Sequence, residues 1–262
     1  MKNIIIILVL MLMGHSIAQA NLLVTPTRVE LDNKRNKSAV FSLVNKSTTP
    51  SRYEIYLEDK ALLPNGEYEL LESSPNSITS FTRYSPRRLS LKPEQGTRVR
   101  VAVRPPKNLA QGEYRSYIVF HQIPLAPKID ANHTQQQAES LQLSVTAYLR
   151  IAIPVIMRIG ELEAELSLSS QQASMTDGQQ QLIVTIERKG KRSSLGDIEI
   201  LNADNNELVG SLKNAAIYPE NNSRTFNITL NKPVSSGTKL TIRYTENDNL
   251  YLPKTINKTI NL

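Results

Sequence analysis

The 262-residue chain has no cysteine, no tryptophan and few aromatic residues of any kind, 5% in all. Without cysteine there are no disulfides and no thiolate metal sites, so stability must come from packed cores. The lack of tryptophan argues against a carbohydrate-binding face, which usually presents exposed aromatics. Histidine is as scarce: three in all, and only His121 and His133 lie beyond the N-terminal leader. Neither has a second ligand at metal-site spacing. No HExxH, GxSxG, phosphate-loop or dinucleotide motif is present, and carboxylates such as Glu161, Glu163 and Asp204 are scattered. The sequence supports no enzymatic activity and calls for neither a cofactor nor a metal. The formal charge is +7, yet no basic stripe with interleaved aromatics appears, so nucleic acid is not expected as a partner. A basic surface that meets carboxylates is the better reading of the charge.

The first twenty residues read as a secretory signal peptide. Lys2 supplies the positive end, Ile4 to Met13 form an unbroken apolar run, and Ala18-Gln19-Ala20 offers small residues at a cleavage site. The run is short for a bilayer span, and no later stretch is apolar enough for one. The mature protein is therefore expected to begin at Asn21 and to be exported. Its length suits two domains of about 100–150 residues. They are expected at 21–156 and 157–262.

The most telling stretch is Ser140 to Ile156. Leu141, Leu143, Val145, Ala147, Leu149, Ile151 and Ile153 alternate with Gln142, Ser144, Thr146, Tyr148, Arg150 and Ala152. Period two over this length is a strand with one apolar and one mostly polar face. It is longer than the usual strand, and a soft polar segment, 131–139, leads into it. Two readings fit: a core strand of a sandwich, or a strand whose apolar face is lent to another protein.

The rest of the chain reads as β throughout. Expected strands in the first half are Leu22 to Leu31, bent at Pro26, then Ala39 to Val44, Arg52 to Glu58, Thr97 to Val103 and Gly112 to Pro124. Leu63 to Ser77 is expected to be a long loop or short hairpin. In the second half Glu163 to Leu168, Gln181 to Glu187, Asp197 to Leu201, Arg224 to Leu230 and Lys239 to Tyr244 are the candidates, with Arg188 to Arg192 as a solvated basic hairpin tip. Short strands, turns of Pro, Gly and Asn, and no amphipathic helix predict an all-β sandwich fold.

Four features together, Arg28 within Thr27-Arg28-Val29, the Pro86-Arg87-Arg88-Leu89 motif, the strand GEYRSYIVFHQIP and the long alternating strand, resemble the PapD-like periplasmic chaperones of the chaperone–usher pathway. The likeness covers about Asn21 to Arg158 and leans toward the archaic or alternative branches. It implies two immunoglobulin-like β-sandwich domains in a boomerang arrangement. It also implies pilus or fimbrial subunits and an outer-membrane usher as partners. The donor strand would present Leu141, Leu143, Val145, Ala147, Leu149 and Ile151 to a subunit. Two cations of the family hold the subunit's terminal carboxylate. Arg28 matches the first, whereas Ala152 stands where a lysine is usual, leaving Arg150 and Arg88 as candidates for the second. Arg158 resembles an arginine that ties the domains together. An exposed strand edge is an aggregation hazard, so the unloaded protein is expected to cap itself as a homodimer. The alternative from another class is an exported structural or adhesive protein, such as a pilus subunit. That reading suits the internal position of the long strand poorly.

Overall fold

The computed structural model describes residues 22–125, 147–176 and 178–262, without the side chains of 170–172. The leader, His133 and the donor-strand positions Leu141, Leu143 and Val145 lie outside the described residues.

The first half is a sandwich of two sheets. One sheet has four strands: β1 (Leu22–Thr25), β3 (Ser38–Asn45), β8 (Gly96–Val103) and β6 (Thr82–Ser85), in that spatial order. The other runs β2 (Val29–Asp32), β10 (Arg150–Ile159), β9 (Gly112–Ile123), β4 (Ser51–Leu62) and β5 (Tyr68–Leu71). A short strand, β7 (Arg88–Leu91), pairs with the start of β4, while β5 pairs with its end. Alternate residues of both sheets point inward and build one core, among them Phe41, Leu43, Tyr53, Ile55, Val99, Val101, Ile118 and Phe120. Phe41 and Phe120 meet edge to face across the sheets, 5.5 Å between ring centroids, a geometry that adds to plain area burial.

One expectation about this half needs correction. The stretch Leu22 to Leu31 is two strands, β1 and β2, in different sheets. Pro26 has no N–H to continue a ladder, and the chain crosses from one sheet to the other there. In the region Leu63 to Ser77 the hairpin alternative holds: β5 forms within it and pairs back antiparallel on the end of β4.

The second half is a separate sandwich with its own core. One sheet is β11 (Ala164–Thr176), β12 (Gln179–Gly190) and β15 (Ser223–Thr229). The other is β14 (Leu208–Ile217), β13 (Ser194–Asn202), β16 (Lys239–Glu246) and β17 (Thr255–Asn261). Strands β14 and β17 have no counterpart in the sequence reading. The ladder of β14 breaks register against β13 at Gly196/Ile198, which scrambles its alternation. The other, TINKTIN, is a half-exposed edge with little apolar content.

The basic stretch Arg188 to Arg192 is not a solvated tip. Lys189 and Lys191 are exposed, but Arg188 and Arg192 are each only 2% accessible. Arg188 donates to the carbonyls of Asn221, Gly190, Arg192 and Pro219, so its charge is solvated by backbone dipoles instead of water. Arg192 grips Glu246 with two nitrogens, at 2.8 and 3.0 Å. Gly190 makes the fold-back possible, because a Cβ there would lie 2.2 Å from the carbonyl oxygen of Glu163.

Candidate functional site

Strand β10 organises the site. It runs antiparallel to β9 over its whole length, from Arg150 opposite His121 to Ile159 opposite Gly112. On its other side β2 runs parallel to it but reaches only Val155 to Arg158. Among the described residues, Arg150 to Pro154 therefore have a strand on one side alone. Ile151 and Ile153 turn toward the first core, so the odd-numbered phase of this strand faces the interior. Ala147 and Leu149, which precede it, are exposed and belong to no described strand.

The even-numbered phase faces away from that core and carries the charged residues. Cross-strand register aligns Arg88, Glu54, His121 and Arg150 in one row over β7, β4, β9 and β10. Residues directly opposite one another share a face. Ala152, the position where a lysine is usual in the resembling family, lies in the next row, opposite Val119 and beyond it Tyr56. Arg150 leans across that row. Its Nε donates to the Tyr56 hydroxyl at 2.9 Å, and its Nη2 pairs with Glu58. Lys60 shares Glu58 from the other side, at 3.0 Å. The carboxylate of Glu58 is nearly buried, at 7% of its side chain, and is balanced by two cations.

The three candidate anchors are not gathered at one point. Three strand spacings separate Arg150 from Arg88, about 14 Å. Arg88 is the most open, with 71% of its side chain accessible, and pairs with Glu54 at 2.7 Å. Arg150 is intermediate at 40%. Arg28 precedes β2 on the far side of β10 and is the most enclosed, at 14%, with Nε 2.9 Å from Glu30. Its Nη2 donates to the carbonyl of Asn247 in the second half. Glu30 in turn accepts from the backbone N–H of Asn249 at 2.9 Å. Arg28 and Glu30 thus clasp a loop of the second sandwich, and the remaining donors of the guanidinium stay available to a further acceptor.

Farther along the same face the two halves meet. Leu62 and Ile156 of the first sandwich pack with Leu195, Ala216 and Tyr218 of the second. Arg115 lies 3.5 Å over the Tyr218 ring and binds Glu220, and Asn221 donates to the carbonyl of Leu62 at 2.6 Å. Arg158, 1% accessible, pairs with Glu113 at 2.9 Å and Asp248 at 2.8 Å, and donates to Ser193 at 3.2 Å. Burial alone would lower the pKa of Arg158, but the flanking carboxylates of Glu113 and Asp248 outweigh it and raise the value. A guanidinium so placed stays charged at every accessible pH.

Sequence reasoning missed Tyr56, Glu58 and Lys60, although they alternate with Ile55 and Leu57 and so form the visible polar face of a strand. Asp248 and Ser193 left no signal, because contacts between distant loops have no period. His121 shares the row of Arg150 and Glu54, with its ring edge-on to Tyr56. Among the described residues no cluster of three or more His, Asp or Glu side chains could hold a metal.

No protein-family model and no curated protein matches the chain. Solved structures do resemble it. A chain of the CsuC–CsuE chaperone–tip adhesion subunit pre-assembly complex, from archaic chaperone-usher Csu pili of Acinetobacter baumannii, is 13% identical. It covers 91% of this chain and 98% of its own, with a TM-score of 0.49. The YadV chaperone is 11% identical, with coverage of 92% and 100% and a TM-score of 0.49. A chain from the Salmonella enterica SafA pilin in complex with the SafB chaperone is 12% identical, with coverage of 94% and 99% and a TM-score of 0.48. None is close enough in sequence or superposition to lend its function to this chain. Function has to be argued from the chain's own sheet edge and side chains.

Proposed function

We propose that this protein is a periplasmic chaperone of pilus or fimbrial subunits that works by strand donation. The observation that carries the reading is that, among the described residues, Arg150 to Pro154 pair with a strand on one side alone, at the end of β10 that the alternating run Leu141 to Leu149 precedes in the chain. Continued in the same phase as Ile151 and Ile153, that run would point its apolar residues to the core side of the sheet. An incomplete sandwich aligned with this edge would receive them as its missing strand. Main-chain hydrogen bonds would hold the subunit, and alternate side chains would select it. The gross gain, roughly 1.5–3 kcal/mol for each buried Leu or Val, is offset by association entropy and by ordering the donated segment.

In this reading Arg28, Arg150 and Arg88 are candidates for the subunit's terminal carboxylate. Arg28 and Arg150 flank the open part of β10, and a planar fork suits a bidentate grip. Arg158 keeps the two sandwiches in register. Delivery to an outer-membrane usher, export by the leader and self-capping by dimerisation in the unloaded state complete the proposal.

Co-expression with candidate smaller exported proteins, followed by native mass spectrometry of periplasmic extracts, tests it. A one-to-one complex is expected. It should be lost in Val145→Glu and kept in Ser144→Glu, whose side chain lies on the opposite phase. Equal behaviour of the two variants would rule out strand donation, and a protein always found alone would favour the structural or adhesive reading. Arg28→Gln is the cleaner probe of the anchor, because charge reversal would press a second carboxylate against Glu30. Capture is expected to weaken about tenfold with folding intact, and unchanged capture would remove Arg28 from the site.

A further inference from the structure

The outer face of the sheet opposite β10 carries a cluster of exposed arginines. On β3, β8 and β6 the inward phase is Phe41, Leu43, Val99, Val101 and Val103. The outward phase places Arg98 opposite Ser42, Arg100 between Val40 and Ser85, and Ala102 between Ser38 and Arg83. Arg83, Arg98 and Arg100 are all exposed. At the rim the basic surface continues into a groove of about 320 Å³ lined in part by Lys37, Arg104 and Lys107. No carboxylate lines that groove, and none occurs on the outward phase of these three strands. The acids in the turns leading into β3 and β8 are engaged already, Asp32 by backbone N–H groups of its own turn and Glu94 by Lys46.

Among the described residues none of these six cations makes an ion pair. Some other exposed cations do, Lys34 with Glu161, Arg88 with Glu54, Lys213 with Asp197 and Lys232 with Glu207, while others such as Lys189, Lys191 and Lys239 do not, so what sets this face apart is the clustering of its cations without a carboxylate among them. Arg98 and Arg100 stand about 7 Å apart on one strand face. That is inside the screening length of about 8 Å at physiological ionic strength, so their repulsion is felt by the folded protein. Among the described residues no ion pair offsets it.

We propose that this basic sheet face is a docking surface for the acidic face of a partner protein, separate from the β10 edge and independent of strand donation. Four of the six cations are arginine, whose fork matches carboxylates bidentately. Most residues between them are small, Ser38, Ser42, Ser85 and Ala102, with Val40 the one larger apolar side chain, which lets a partner's Asp and Glu approach closely. A membrane is the less suited occupant. Interfacial binding draws on aromatic side chains beside the cations, and the outward phase of these strands has none.

The test is fluorescence anisotropy with a labelled ten-residue oligoglutamate, used with the full mature protein at low and physiological salt. Arg83→Gln/Arg98→Gln/Arg100→Gln is compared with Lys189→Gln/Lys191→Gln/Lys239→Gln, which removes the same charge from the second sandwich. A loss of tenfold or more in the first variant, against less than twofold in the second, supports the proposal. Equal losses would overturn it in favour of net charge alone. Absence of peptide binding would also overturn it, with face-dependent binding to phosphatidylglycerol vesicles then identifying a membrane as the occupant. If the triple variant does not fold, Arg98→Gln is the substitute, with at least a threefold loss expected.

Discussion

Asp32 illustrates how a single side chain fixes a turn. Its Oδ1 accepts from the backbone N–H groups of Lys34 and Arg35, both at 2.6 Å, and of Asn36 at 3.2 Å. Partial burial pushes its pKa upward, but the three backbone donors win and hold it below the ordinary carboxylate value. A depressed folded-state pKa stabilises the protein above the unfolded value, near 3.9, and that stability is lost as pH falls through the folded value. Urea midpoints compared at pH 5 and pH 2.5 should therefore fall less for Asp32→Asn than for the native chain. An identical fall would show that the turn carries no linkage. The buried arginines teach the reverse lesson about sequence. A run such as Arg188 to Arg192 looks like solvent-facing charge, because burying a cation costs several kcal/mol unless partners are supplied. Those partners, Glu246 and the carbonyls of Pro219 and Asn221, lie some 30 to 54 residues away. No local pattern announces them.

At the scale of elements, alternation made most strands legible. Arg52 to Glu58, Thr97 to Val103 and Gly112 to Pro124 each correspond to a strand, and the continuous apolar centre of the last is buried from Tyr117 to Phe120. Alternation failed where a strand is an edge or is bulged, as in β5, β14 and β17. It also did not show that one apparent strand was two, although the core-facing phase changes from Leu22 and Val24 in β1 to Val29 and Leu31 in β2, which lie in different sheets. The site was legible in part for the same reason. Arg150, Arg28 and Arg88 could be named, but Glu58 and Glu54, the partners of Arg150 and Arg88, depend on register between strands, which only the folded sheet reveals, whereas Glu30 lies two residues from Arg28 on the same segment. The turn after β12 offers an element-scale test. Gly190 has φ of +112° and no room for a methyl group against Glu163. Gly190→Ala should lower stability by at least about 1–3 kcal/mol, read as a shifted urea midpoint with unchanged slope. A shift under about 0.5 kcal/mol, the range of an ordinary surface substitution, would mean that the turn relaxes freely.

The whole molecule is two cores joined by a small third one. Leu62, Ile156, Leu195, Ala216 and Tyr218 form an apolar seam, and the Arg158 network seals its border. Leu195→Asp would bury an unpaired carboxylate there, a cost met most easily by parting the sandwiches. The expected result is a larger radius of gyration in small-angle scattering with far-ultraviolet circular dichroism unchanged. An unaltered scattering profile would show that the ion pairs alone hold the halves together.

That seam also sets an order of assembly. Arg158 belongs to the first sandwich, as do Arg28 and Glu30, yet Asp248, Asn247 and Asn249, with which they pair, lie 90 to 219 residues further along the chain. A chain synthesised from its N-terminus can complete its first core while these charges still face water. The seam residues Leu195, Ala216 and Tyr218 reach the first sandwich earlier, so a molecule cut short before residue 247 would keep a folded first half and part of the joint but lose the contacts to Arg28, Glu30 and Arg158.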